Sequence, residues 1–186
     1  IMTTQEKNGI TEGVIWKQLL IFFFPILVGS FFQQLYNTVD SVIVGQFVGK
    51  EALSSVGGSA GQIISLVVGF FTGVSTGATV IISQYFGAGK KEEIEESLHT
   101  AYAFALVGGL VLGIAGIVFA PQMLRWMNTP EELIAESVLY VRVYFSGLIF
   151  IFIYNMGAAI LRAVGDSKRP LYYLIVCSVV NIILDL

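Results

Sequence analysis

Long uncharged apolar runs, broken by short polar clusters, dominate the chain. A helix needs about 20 apolar residues to cross a bilayer. Windows of that kind predict five helices, over residues 16–48, 53–86, 98–119, 133–161 and 171–186. The pattern is that of an all-α polytopic membrane protein. The last window reaches the chain end after 16 residues, which is short for a span. The chain is therefore expected to be a segment of a longer membrane protein. Residues 1–13 read as a polar tail, and residues 14–186 as one transmembrane lobe truncated within its fifth helix. The tail has no small-residue cleavage site behind a short apolar core, so no cleavable signal peptide is expected.

The breaks carry helix stop and start chemistry. Gly87-Ala-Gly-Lys-Lys91 ends the second helix, with glycines suited to a C-cap. Thr129, Pro130, Glu131 and Glu132 read as a cap, an N1 proline and dipole-matched acids opening the fourth. Gly165-Asp-Ser-Lys-Arg-Pro170 leads into the fifth in the same manner. Glu92, Glu93, Glu95 and Glu96 read as a solvated face at the start of the third helix.

Two helices carry small residues at every fourth position. The second has Gly57, Gly61, Ser65, Gly69, Gly73 and Gly77; the third has Ser97, Ala101, Ala105, Gly109 and Gly113. Helices in lipid gain little from hydrophobic burial against each other, and such ridges let backbones approach closely. Both ridges predict a tightly packed bundle.

The first helix differs. At about 100° per residue, Ser30, Gln33, Gln34, Asn37, Thr38, Asp40 and Ser41 fall on one side, opposite Phe31, Phe32, Leu35, Tyr36, Val39, Val42 and Ile43. A carboxylate in hydrocarbon costs roughly 2.5 to 3.5 kcal/mol on insertion scales. Asp40 is therefore read as a functional group in a hydrated cavity that can bind and release a cation. Gln33, Gln34, Asn37 and Thr38, with Tyr36 beside them, are candidate cavity-lining or substrate contacts; an interhelical hydrogen-bond seam is the structural alternative for the amides. Pro25 removes one backbone hydrogen bond in the same helix and is a candidate hinge or a static bend. Asn181 and Asp185 lie four residues apart on one face of the fifth helix, a half-site of hard oxygens for H⁺ or Na⁺.

Composition reinforces the membrane class. The 186 residues are 55% hydrophobic and 12% charged, with mean hydropathy +0.80, where soluble domains carry about 25% charged residues. The net charge of −3 gives no nucleic-acid signal. Lys7, Lys17, Lys90, Lys91, Arg162, Lys168 and Arg169 fall on one side of the predicted topology and only Lys50 and Arg125 on the other, so the N-terminus should be cytoplasmic in a multi-pass protein of the plasma membrane. Arg142 should snorkel to the interface. Cys177 reads as a small core residue and His99 as a surface histidine. No metal-ligand cluster, nucleophile with its base, or phosphate loop is evident, so neither an enzyme nor an ATP-driven engine is expected, and no cofactor.

Several stretches together resemble the multidrug and toxic compound extrusion (MATE) family of secondary transporters. They are Leu35-Tyr-Asn-Thr-Val-Asp-Ser-Val-Ile-Val-Gly45, Gly73-Val-Ser-Thr-Gly-Ala-Thr79, Gln84-Tyr-Phe-Gly-Ala-Gly89, Asn128-Thr-Pro-Glu131, Tyr140-Val-Arg142, Leu161-Arg-Ala-Val-Gly-Asp-Ser-Lys-Arg-Pro170 and Asn181-Ile-Ile-Leu-Asp185. The resemblance implies a twelve-helix transporter built from two six-helix bundles. This chain would be most of the N-terminal bundle, partnered by the lipid bilayer and a C-terminal half. It also implies export of organic cations, drugs or other amphipathic compounds in exchange for H⁺ or Na⁺, with Asp40, Asn181 and Asp185 as the ion-coupling residues. Many relatives have a proline after that last aspartate, where this chain has Leu186. A lipid-linked-saccharide flippase of the same broad superfamily is the rival reading, and should show a cationic cavity; a non-transporting membrane scaffold is a second.

Overall fold

The computed structural model describes residues 14–43, 45–46, 54 and 57–185; the side chains of Val44 and Asp185 lie outside the described set. Six helices make up the regular structure among these residues: α1 Ile15–Ile43, α2 Ser59–Gly87, α3 Lys91–Trp126, α4 Glu131–Ser146, α5 Leu148–Ala163 and α6 Lys168–Asp185. Three of them, α1 to α3, are each long and apolar enough to cross a membrane, and α4 with α5 is long and apolar enough for a fourth span if the bent pair crosses as one. The first two predicted helices end and begin, respectively, at Val48 and Leu53, outside the described residues. The third is longer than predicted, because charged residues at both ends continue the helix where a hydropathy window stops.

The predicted fourth helix is broken. α4 and α5 meet at Gly147 with a bend of 48°. Phe145, just before the bend, fits a notch in α3 made by Gly113 and Gly116. A Cβ on Gly116 would stand 1.7 Å from the Phe145 ring, and one on Gly113 would stand 3.1 Å from the Phe145 carbonyl oxygen. The notch and the adjacent Ser146-Gly147 pair, a common site of helix kinks, account for the break. Phe152 then stacks on Phe71 of α2, with ring centroids 3.4 Å apart. Val141, Leu148, Phe152 and Met156 are buried with Ile82 and Leu124 in this core.

The two small-residue ridges behave differently. Ala101, Ala105, Gly109 and Gly113 of α3 are buried, and a Cβ on Gly109 would come within 3.0 Å of the Ile149 backbone. Gly69, Gly73 and Gly77 of α2 have nothing within 4 Å of a Cβ position. Gly77 faces α3 only across a cavity that Ser97, Thr100 and Ala101 also line, so these three glycines make no close helix contact among the described residues.

Helix ends differ from the prediction in one place. Gly89 adopts φ 70° and Gly165 φ 88°; Lys90 N–H donates to Tyr85 O and Asp166 N–H to Leu161 O, closing α2 and α5 as C-cap glycines do. Asp166 Oδ1 accepts from the backbone N–H groups of Lys168 and Arg169, each at 3.1 Å, and so caps α6. Thr129, by contrast, does not cap α4. Pro130 occupies the boundary, with no side-chain cap, and the Thr129 Oγ1 is buried without a hydrogen bond. Thr129 is committed to closing α3: its N–H donates to Leu124 O behind Asn128 at φ 54°, so its own hydroxyl is turned away from α4.

Arg142 does not simply snorkel. Its Nε donates to Ile117 O of α3 at 3.1 Å. Pro121 lies four residues after Ile117 and has no N–H to offer that carbonyl, so Arg142 supplies the missing donor. Cys177 is exposed on α6 and is not a core residue; the apolar run around it faces outward. His99 is exposed, as expected, with Nδ1 2.8 Å from Glu95 O.

Candidate functional site

The helices fall into two packed groups: α2 to α5, which share the core, and α1 with α6. With the bent α4–α5 pair counted as one span, three crossings lie between α1 and α6, so the two run parallel. Gly29 sets their register. A Cβ there would lie 3.4 Å from Leu174 Cδ2 and 3.6 Å from Leu171 Cδ1. Asp40 is eleven residues farther along α1, about 16 Å higher at 1.5 Å per residue. Eleven residues on from Leu171 and Leu174 are positions 182 and 185. Asp40 therefore stands level with the turn from Asn181 to Asp185.

Asp40 is half-buried and its Oδ1 is withdrawn from the surface. Tyr140 of α4 lies within electrostatic reach of it. Asn181 is half-buried too, and its Oδ1 has no hydrogen-bond partner among the described residues. A buried amide oxygen left without a donor suits a bound cation or proton-bearing group better than a packing seam. Asp185 shares the α6 face by sequence; its side chain is outside the described residues. Tyr36 lies within electrostatic reach of Tyr144 and Tyr154, so it looks toward the α4–α5 span.

Below this level a cavity of about 160 Å³ separates α1 from α5 and α6. Pro25, Gly29, Ser30 and Gln33 line it from α1, Tyr154, Asn155 and Arg162 from α5, and Ser167 and Leu171 from the α6 side. Pro25 is buried at its base, within an α1 that continues as a helix on both sides. Gln34, Asn37 and Thr38 are exposed on α1 and lie outside the lining of this cavity. The hydroxyls of Thr38 and Ser41 bond back to Gln34 O and Asn37 O at 2.8 Å each. A second cavity of about 340 Å³ lies between α2 and α5, with Thr72, Ser75, Thr79 and Ser83 on one wall and Asn155 and Arg162 on the other. Reading the sequence missed Asn155, a lone amide in the apolar run of α5. Arg162 figured there only as a topology marker.

The matched family model is MatE, over residues 25–186. The "Probable multidrug resistance protein YoeA" of Bacillus subtilis is 33% identical over 98% of this chain and 39% of its own length. The "Probable multidrug resistance protein YpnP" of the same organism is 34% identical over 96% and 40%. Among solved structures, a MATE protein crystallised in complex with MaD3S superposes with a TM-score of 0.90 at 26% identity, over 98% of this chain and 41% of that one. The chain thus spans about two-fifths of the length of the relatives it matches.

Proposed function

The chain belongs to the MatE family, and from that premise we propose that it forms the ion-coupling half of a cation-driven multidrug exporter. It is a multi-pass membrane protein of the MATE N-lobe fold. The observation that carries the proposal is the shared level of Asp40 and the Asn181–Asp185 turn on two parallel helices, where the buried Asn181 Oδ1 has no hydrogen-bond partner among the described residues. The names of the relatives, which are multidrug resistance proteins, support the export of drugs.

In this reading H⁺ or Na⁺ enters from the exterior and is held by Asp40, with Asn181 and Asp185. Neutralising the charge lowers the cost of burying the site and favours closure of α1 over α6, with Pro25 as the hinge. Gln33 and Tyr36 line the path, and Gln34, Asn37 and Thr38 present their exposed face to the substrate and the C-terminal half. An organic cation and the coupling ion exclude each other, and that antagonism must be reciprocal. The helix ends that carry Lys90, Lys91, Arg162, Lys168 and Arg169 fall on the same side as the start of α1 when the α4–α5 pair is counted as one span, which supports a cytoplasmic N-terminus in the plasma membrane.

The test is efflux of a fluorescent organic cation from proteoliposomes holding the intact transporter. Either an imposed pH gradient or an imposed Na⁺ gradient should drive it, and Asp40→Asn should abolish the response. Gradient-driven efflux that survives Asp40→Asn sinks the assignment.

A further inference from the structure

Arg162 has no part in cation coupling, and its setting is unusual for a guanidinium. It is the penultimate residue of α5, half-buried, and it lines both the 160 Å³ and the 340 Å³ cavities. Neither lining contains a carboxylate. Among the described residues the ion pairs are Lys90–Glu93 and Arg169–Asp166; Arg162 forms none and makes no hydrogen bond there. Asp166, four residues on, is already committed. Its Oδ1 accepts the two N–H groups opening α6, and its Oδ2 meets Arg169 Nε at 3.1 Å. Five N–H donors are thus left over beside a cavity.

A buried hydroxyl adds to what an anion requires there. Ser75 of α2, 5% exposed, lines the 340 Å³ cavity with Arg162, and its hydroxyl is engaged with no other described group. The guanidinium would repel a cation from the 340 Å³ cavity, so it is not a second coupling-ion site.

We propose that the 340 Å³ cavity beside Arg162 binds an oxyanionic group, a phosphate or carboxylate, with Arg162 as its charge partner and Ser75 as a hydroxyl donor. The planar fork of arginine suits two-point contact with such a group. The group comes either from an anionic lipid headgroup in the adjoining leaflet or from a free anion in the aqueous phase.

Purified intact transporter distinguishes these sources in two arms. One titrates inorganic phosphate against chloride at matched ionic strength and follows the melting temperature. The other counts phosphatidylglycerol retained by native mass spectrometry after extraction from mixed phosphatidylglycerol–phosphatidylcholine nanodiscs. Saturable stabilisation by phosphate, weakened about tenfold or more by Arg162→Gln and untouched by Arg125→Gln, supports a free-anion site. Retained phosphatidylglycerol that Arg162→Gln abolishes and Arg125→Gln preserves supports a lipid site. No saturable ligand in either arm, or equal losses in both variants, overturns the proposal. Should Arg162→Gln fail to fold, Ser75→Ala replaces it, and undiminished binding there is equally fatal.

Discussion

Gly116→Ala is the sharpest structural test of the broken span. The added Cβ would lie 1.7 Å from Phe145 Cδ1, 2.1 Å from Cε1 and 2.5 Å from Cγ. Ordinary carbon contacts are about 3.5–4.0 Å, so the ring must move by about 2 Å. It has little room, because Phe145 is 3% exposed and its own carbonyl sits over Gly113. Overpacking of this kind costs about 1–3 kcal/mol, and the better helix propensity of alanine returns up to about 1 kcal/mol. A net loss of about 1–2 kcal/mol lowers the melting temperature of the intact transporter by about 1–2 °C, because an unfolding entropy of about 2.1 cal/mol/K per residue is summed over a protein about two and a half times this chain's length. Tryptophan fluorescence during thermal unfolding in detergent would record it. Phe145→Leu should relieve the clash, so the double variant should lose less than the two single variants together. Gly29→Ala, whose Cβ meets Leu174 at an ordinary 3.4 Å, serves as the tolerated control. A Gly116→Ala protein that melts at or above wild type, or a strictly additive double variant, would refute the packing argument.

Three further outcomes follow from single contacts. Arg142→Gln should lower stability by about 0.6–1.7 kcal/mol, the range for hydrogen bonds between membrane helices, and Pro121→Ala should make Arg142 largely dispensable by restoring a donor to Ile117 O; equal losses from Arg142→Gln in both backgrounds would count against the exchange. Asp166→Ala removes the cap of α6 and should cost about 1 kcal/mol, read as a lower midpoint in the same melts, with Asp166→Asn close to wild type. Asn181→Leu removes an unsatisfied buried acceptor, a group whose burial costs about 1–3 kcal/mol; it should raise the melting temperature while blunting ion-driven efflux, and a variant that loses stability would show that Asn181 is a packing residue.

Much of this arrangement was legible in the residues, for identifiable reasons. Apolar length marks helices because lipid leaves no other way to satisfy the backbone, and the α3 ridge announced a close contact that Ile149 and Phe145 make. The bend at Gly147 was not legible, because a hydropathy window averages straight over one glycine in an apolar run. The sequence signal was the Ser146-Gly147 pair, whose meaning depends on a notch thirty residues upstream. Capping at Asp166 followed from local chemistry, whereas the fate of Thr129 depended on the αL turn at Asn128. Asp40 and Asn181 could be singled out individually, yet their common height depends on the register that Gly29 sets against Leu171 and Leu174. Arg162 illustrates the same limit: a charge near a loop looks like a topology marker until folding closes two cavities around it.

The pairing of α1 with α6 has a consequence for biogenesis. The ribosome must add 124 residues between Ile43 and Lys168, which takes about 6 to 25 s at typical elongation rates. Throughout that interval α1 is already made and its native neighbour does not exist. Asp40 and the amides around it would then face either hydrocarbon or the insertion machinery while four more helices are threaded. Some other polar surface must therefore shelter α1 during synthesis. Delayed release from an insertase is the observable form of that shelter, and α1 should leave it only when α6 emerges.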